Sequence, residues 1–356
     1  MILSESPARL TQYSRGAGCG CKIAPKVLEE ILADARSFPD HKQLLVGNEY
    51  KDDAAVFDLG NGTALISTTD FFSPIVDDPV DYGRIAAANA LSDVYAMGGQ
   101  PILAIAVLGW PVEQLPLSWV KDILKGAREI CNRAGIPLAG GHSIDTPEPV
   151  FGLAVNGLVP IPHLKRNNTA QCGDWIILTK PLGLGILSTA QKRGVLQEVH
   201  QEGMISWMTT LNASGQWLGK LPGVHALTDV TGFGLLGHVL EMAEGSGLHA
   251  ELYYSGLPVA SGVREYIAQR IFPDATTRNW SSLGSQVKFD KGVPVMEAFT
   301  LLSDPQTNGG LLLAVAPEAL GEVTEVLKKF QLDVFAQPIG KFLDSGEKTI
   351  VIQPGG

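Results

Sequence analysis

Apolar positions along this chain repeat with two periods, and each switch between them marks an element. Near the N-terminus, Pro25 opens a helical pattern in which Val27, Leu28, Ile31 and Leu32 share one face. Ala64-Leu65-Ile66 reads as a short strand that ends in the polar run Ser67-Thr68-Thr69-Asp70. Residues 83–97 follow as a helix closed by Gly98-Gly99, and residues 102–108 as a strand. Val120, Ile123, Leu124, Ala127, Ile130 and Cys131 form the next helical stripe, which stops at Gly135. A strand over 151–159 runs into Pro160-Ile161-Pro162, and that punctuation predicts a domain boundary. The second half repeats the alternation, with a strand at 175–178 and a helix at 232–244. A polar loop at 304–310 then feeds a buried strand at 311–315, and a terminal helix covers 318–330. The order predicts an α/β protein of the α+β type: a flexible Gly/Cys segment (1–48) and two domains (49–160 and 161–356).

The length of 356 residues suits two cores. With 27 basic against 37 acidic residues the net charge is −10, which repels nucleic acid and anionic membranes alike. No apolar run approaches the roughly 18 residues that span a bilayer, and the first residues lack the blocks of a signal peptide. Four cysteines in so long a chain do not build a disulfide framework, so a reducing cytoplasm is expected. Glycine is enriched, at 40 residues, and clusters in short runs that suit loops close to a ligand.

Three segments carry candidate chemistry. In Gly16-Ala17-Gly18-Cys19-Gly20-Cys21-Lys22, glycines leave Cys19 accessible, and Lys22 favours its thiolate. A phosphate loop would need glycine at 21 and Ser or Thr at 23, and zinc would need a second ligand pair; neither is present. The second segment set is acidic: Asp52, Asp53, Asp70, Asp93, Asp229 and Asp304 each sit at a predicted strand end or helix face beside small residues. Asn89 and Asp93 lie four apart and share a helix face. Any one aspartate is more often a cap or turn former, but carboxylates converging on one pocket need a cation. Oxygen ligands of this kind suit Mg²⁺, which lets an acidic protein hold ATP. Third, Ala139-Gly140-Gly141-His142-Ser143 reads as a turn whose backbone amides suit phosphate oxygens, its histidine being structural more often than catalytic. Gly232-Phe233-Gly234-Leu235-Leu236-Gly237 matches a dinucleotide fingerprint, but Asp229 and Thr231 stand where that strand should be apolar. Cys131 reads as core packing and Cys172 as inert.

Together these segments resemble the selenophosphate synthetase family, within the aminoimidazole ribonucleotide synthetase-like superfamily. The resemblance runs from Leu10 to about Val315 and rests on Leu10-Thr11-Gln12-Tyr13-Ser14 and on residues 16–22, 47–55, 67–72, 89–99, 138–143, 228–238 and 304–310. The Cys-Gly-Cys-Lys loop separates this family from its siblings. The resemblance implies a two-domain fold whose N-terminal domains pair into a dimeric β-barrel, with ATP near the interface. It implies conversion of ATP, selenide and water to selenophosphate, AMP and phosphate, and leaves room for a selenium-delivery protein as partner. By motif match it makes Cys19 the catalytic thiol and Lys22 the essential lysine beside the phosphates. Asp53, Asp93 and Asp229 match metal-binding positions; Tyr50, Lys51, Asp52, Asp70, Asp93, Gly141, His142 and Ser143 match nucleotide-binding ones. Asn308 stands where serine is expected. Two rival readings are a sibling enzyme that yields ADP and a selenium- or metal-binding carrier without turnover.

Overall fold

The first sheet opens with three antiparallel strands, β1 (Leu44–Val46), β2 (Ala55–Asp58) and β3 (Thr63–Phe72). The computed structural model describes residues 9–14, 18–21, 27, 30, 31, 41–47, 51–344 and 348–355. Val27, Glu30 and Ile31 are helical, in keeping with the pattern at that end of the chain. Strand β3 is longer than the expected Ala64-Leu65-Ile66: it continues through Ser67-Thr68-Thr69-Asp70. The polar run does not break the strand because Thr68 and Asp70 find side-chain partners on the helix that follows.

That helix, α1 (Pro79–Ala96), starts four residues before the expected Gly83. Asp78 caps it by accepting from the Asp81 N–H at 2.8 Å, and Pro79 occupies the first turn, where a missing N–H costs nothing. It ends at Met97, with Gly98 at φ +74° as the pattern predicts. Next come β4 (Gln100–Trp110), α2 (Leu117–Arg133), β5 (Leu138–Asp145) and β6 (Val150–Pro160). The strand order is β1-β2-β3-β6-β4-β5, with β4 and β5 parallel. The expected turn at 139–143 is therefore a misreading: these residues form the edge strand β5, whose backbone pairs with β4. Gly140 and Gly141 carry a register shift there, and a Cβ on Gly141 would lie 2.1 Å from the Ala106 carbonyl oxygen.

Helices α1 and α2 cover one face of this sheet. On the other face Phe57, Phe71, Ile105 and Ile144 are exposed. The sheet is open, and no closed barrel forms among the described residues of the chain.

The second sheet has seven strands among the described residues, in the order β10 (Val287–Phe289), β13 (Ile350–Gln353), β9 (His249–Tyr253), β12 (Gly340–Leu343), β7 (Trp175–Leu178), β11 (Leu311–Val315) and β8 (Val224–Asp229). Strand β7 lies between β12 and β11, and the helices α3 (Leu184–Lys192) and α4 (Glu198–Thr209) follow it in the chain. Strand β8 (Val224–Asp229) leads into α5 (Gly234–Ser246), then β9 (His249–Tyr253), β10 (Val287–Phe289) and β11 (Leu311–Val315). The helix α6 (Leu320–Lys329) is not terminal, since β12 (Gly340–Leu343) and β13 (Ile350–Gln353) follow it into the sheet. Both are four residues long, too short for a period to stand out.

Helix α1 is shared by the two halves, packed between β3 and β6 on one side and β8 and α4 on the other. Its crossing with α2 brings backbones together: a Cβ on Gly83 would lie 1.9 Å from the Ile123 oxygen, and one on Gly126 2.0 Å from the Val80 oxygen. Overpacking of this kind costs about 1–3 kcal/mol and more when backbone is the obstacle. Gly83→Ala and Gly126→Ala should each lower the thermal midpoint by several degrees; an unchanged midpoint in calorimetry would refute the close crossing.

Candidate active site

Three polar side chains, Asn89, Ser92 and Asp93, lie on the buried helix α1, and each meets a different partner. Neighbours at i, i+2 on a strand are about as far apart as i, i+4 on a helix. Thr68 and Asp70 of β3 therefore match Asp93 and Asn89. Thr68 Oγ1 donates to Asp93 Oδ2 at 2.5 Å, and Asn89 Nδ2 donates to Asp70 Oδ2 at 2.5 Å.

The other contacts of α1 reach the second half. Ser92 Oγ donates to Asp229 Oδ2 at the end of β8. Asn212 Nδ2 donates to Ser92 Oγ at 2.7 Å and to the Gly309 carbonyl at 2.8 Å. Asn89 Oδ1 accepts the Asn308 backbone N–H at 2.6 Å. Asn308 has φ +50°, a conformation asparagine tolerates better than serine, and its amide donates to the carbonyls of Met208 and Thr210. Asparagine thus does more here than fill the place of a small polar residue.

Asp53 precedes β2; the residue is half-buried, and its Oδ2 is shielded from solvent. Thr228 Oγ1 donates to its Oδ1 at 2.8 Å, while its Oδ2 finds no hydrogen-bond partner among the described residues. Burial, and then the charges of Asp229, Asp52 and Asp93, push its pKa well above the carboxylate range. Asp52 is raised to about 6 by burial, against the Asn167 N–H and the Arg166 charge. Behind Asp229 sits the fully buried Lys180. Its Nζ donates to the carbonyls of Thr210 (2.7 Å) and Asn308 (2.9 Å), and burial pulls it down to about 7 although Asp229 opposes the shift.

The polar loop at 304–308 closes one side. Asp304 Oδ2 accepts from the Gly185 N–H at 3.0 Å, at the start of α3, and from Gln306 Nε2 at 2.8 Å. The Gly18–Cys21 turn packs beside this loop, with Pro305 nearest to Gly20 and Thr307 next to Gly18. Gly18 N–H donates to Ser73 O at 3.3 Å, and Arg278 Nη2 donates to Gly20 O at 2.9 Å.

The structure therefore gathers Asp52, Asp53, Asp70, Asp93 and Asp229, with Lys51 adjoining and the backbone of the Cys19 turn on the Asp304 side. Lys22 and Tyr50 lie outside the described residues. Gly141, His142 and Ser143 are not brought in: they are exposed on β5, three strands from Asp70 in the sheet order, or roughly 14 Å. Ser92, Asn212, Thr68 and Lys180 went unnoticed in the sequence. Only Lys180, a lysine between an apolar strand and Pro181, carries a visible signal there. Cys131 is buried and its thiol is pushed up to about 11, as core packing requires; Cys172 is exposed. No described helix is long and apolar enough to cross a membrane.

Asp304 generates a pH prediction. Burial raises it to about 8, against about 3.9 unfolded. The folded state holds the proton more tightly, so this group's contribution is full below pH ~4 and is lost as pH rises through ~8. Asp304→Asn, which has no proton to lose, should gain stability relative to the parent between pH 5 and pH 9. Parallel urea-unfolding profiles of the two proteins across that range would exclude a protonated Asp304.

Comparison with known proteins gives two family matches. The model for the N-terminal domain of AIR synthase related proteins covers residues 51–159, and that for their C-terminal domain covers residues 171–353. The chain is 55% identical over 336 residues to a selenide, water dikinase of Cronobacter sakazakii, covering 94% of this chain and 95% of that one. It is 53% identical over 343 residues to the Salmonella typhimurium protein of that name, covering 96% and 97%. Among solved structures, hydrogenase maturation protein HypE in complex with ATP shares the fold at TM-score 0.64 and 19% identity, covering 98% of this chain and 96% of that one.

Proposed function

Since the chain belongs to the selenide, water dikinase family of AIR synthase related proteins, we propose that it converts ATP, selenide and water to selenophosphate, AMP and phosphate. In this reading residues 1–48 are the catalytic segment, 49–160 the nucleotide-binding and dimerisation domain, and 161–356 the C-terminal domain. Selenide attacks the γ-phosphorus and displaces ADP; water then attacks the β-phosphorus and releases phosphate and AMP. Both steps move charge over a triphosphate in a protein of net charge −10, so the site has to compensate that charge.

The observation that carries the reading is Asp53: a half-buried carboxylate whose shielded Oδ2 has no hydrogen-bond partner among the described residues, faced by Asp52, Asp93 and Asp229. That donor set fits Mg²⁺. Among the described residues no three His, Cys, Asp or Glu side chains form a cage. Mg²⁺ does not need one, because it takes one or two carboxylates and completes its shell with phosphate oxygens and waters. Asp53, Asp93 and Asp229 would hold the ions, whose charge offsets that of the phosphates. Lys51, Asp52 and Asp70 line the nucleotide side, while Cys19 and Lys22 handle selenium and the phosphates respectively. A selenium-delivery protein and a cytoplasmic setting belong to the same reading.

Phosphorus NMR on anaerobic protein with ATP and Mg²⁺ tests it directly. Selenide-dependent AMP, phosphate and a new selenophosphate resonance are expected; ADP as the final nucleotide, or no ATP loss, defeats the assignment. Asp53→Asn, Asp93→Asn and Asp229→Asn should each lower the rate by roughly 10²–10³-fold, and Cys19→Ser should abolish the selenide-dependent step.

The reading includes a homodimer formed through the open face of the first sheet. Phe57, Phe71, Ile105 and Ile144 are exposed there, and β5 presents an unpaired edge. A nucleotide at such an interface also answers the distance between Ser143 and Asp70 within one chain. Phe71→Asp, which places a charge in that face, should yield a monomer by light scattering; an intact dimer would place the interface elsewhere.

A further inference from the structure

Between the two sheets the chain runs through Lys165-Arg166-Asn167, and each side chain ties down a different part of the molecule. Lys165 Nζ donates to the carbonyls of Leu221 (2.9 Å) and Val224 (2.6 Å) in the second half. Arg166 Nη2 donates to Leu45 O at 2.9 Å in β1, and its own carbonyl accepts from Leu227 N–H at 3.1 Å in β8. Asn167, only 2% exposed, grips the segment ahead of β2 twice: its backbone N–H donates to Asp52 Oδ1 at 3.0 Å and its Nδ2 to Lys51 O at 3.1 Å.

What Asn167 holds is strained. Lys51 has φ +57°, the left-handed region, which is unfavourable for a side-chain-bearing residue and persists only where the surroundings fix it. The carboxylate of Asp52 is partly buried at the same place, and Asp53 with its orphaned oxygen follows directly. We propose that Asn167 is a positioning residue for the nucleotide: its two hydrogen bonds lock Lys51 and Asp52 into the conformation that receives ATP, and fix them to the second half, which supplies Asp229. This rests on the reading of Lys51 and Asp52 as nucleotide-binding positions.

The test is equilibrium binding of ATP with Mg²⁺ in the absence of selenide, alongside steady-state kinetics. Asn167→Ala removes the bond to Lys51 O and leaves the backbone bond to Asp52. Loss of one such bond predicts a rise of ~10-fold in the ATP Kd and KM, with kcat within about twofold of the parent. Thr169→Val is the control. Its hydroxyl donates to His225 O at 2.7 Å in the same linker, away from the nucleotide segment, and it should bind ATP like the parent. Asn167→Ser, too short to reach Lys51, should repeat the affinity loss if the alanine variant folds poorly.

Unchanged ATP affinity in a folded Asn167 variant overturns the proposal. So does an equal loss in Thr169→Val, or failure of both Asn167 variants to fold, since the residue would then be a general support. A parent protein that binds ATP but makes no selenide-dependent AMP would instead defeat the dikinase reading and leave this one standing.

Discussion

Helix α1 is buried along nearly its whole length yet carries Asn89, Ser92 and Asp93, and the need to satisfy those three side chains organises the site. A buried polar group left without a partner costs about 1–3 kcal/mol, and neither sheet alone supplies enough partners. Strand β3 meets two of the three, through Thr68 and Asp70. The second half meets the rest, with Asp229 and Asn212 at Ser92 and the Asn308 backbone at Asn89. The hydrogen-bond demand of one helix thus fixes how the two sheets sit together. It also brings Asp70 and Asp229, from two different sheets, up to the helix that carries Asp93.

Electrostatics explains why so acidic an arrangement is not self-defeating. Asp53 faces three other carboxylates, and its pKa rises first through burial and then through the charges of Asp229, Asp52 and Asp93. Arg166 acts on Asp52 and the buried Lys180 on Asp229; each is a single charge, and Lys180 is itself weakened by burial. The site is left short of cationic charge, and that shortfall is what the proposed divalent ions would offset. A site already neutralised by several arginines would have no such use for metal.

Much of this was legible in the sequence because it follows from local pattern. The strand at 175–178 and the loop feeding Leu311–Val315 stand where periodicity puts them, and the aspartates at strand ends do converge. What was not legible depends on long-range pairing. Gly140-Gly141-His142-Ser143 has the composition of a phosphate turn, and only the partnership with β4 makes it a strand. Thr68 and Asp70 look like strand breakers until α1 lies over them. Ser92 and Asn212 have no local signature at all, since a serine in a helix and an asparagine in a loop are ordinary residues. Asn308 was visible as a departure, but its meaning needed the left-handed backbone and the two carbonyls it serves.

Strand β5 marks the edge of the first sheet. Proteins commonly blunt an edge strand with charge, proline or a covering loop. Here the edge carries a glycine pair with a register shift and an exposed Ile144, and the adjoining face presents Phe71 and Ile105. An apolar face and an unprotected edge on the same sheet are a liability in a lone chain and an asset in a paired one. The same placement sets His142 and Ser143 three strands away from Asp70 within one chain. The pairing proposed above would cover that face and that edge together, which is the physical reason to place a partner there rather than on the helix-covered side.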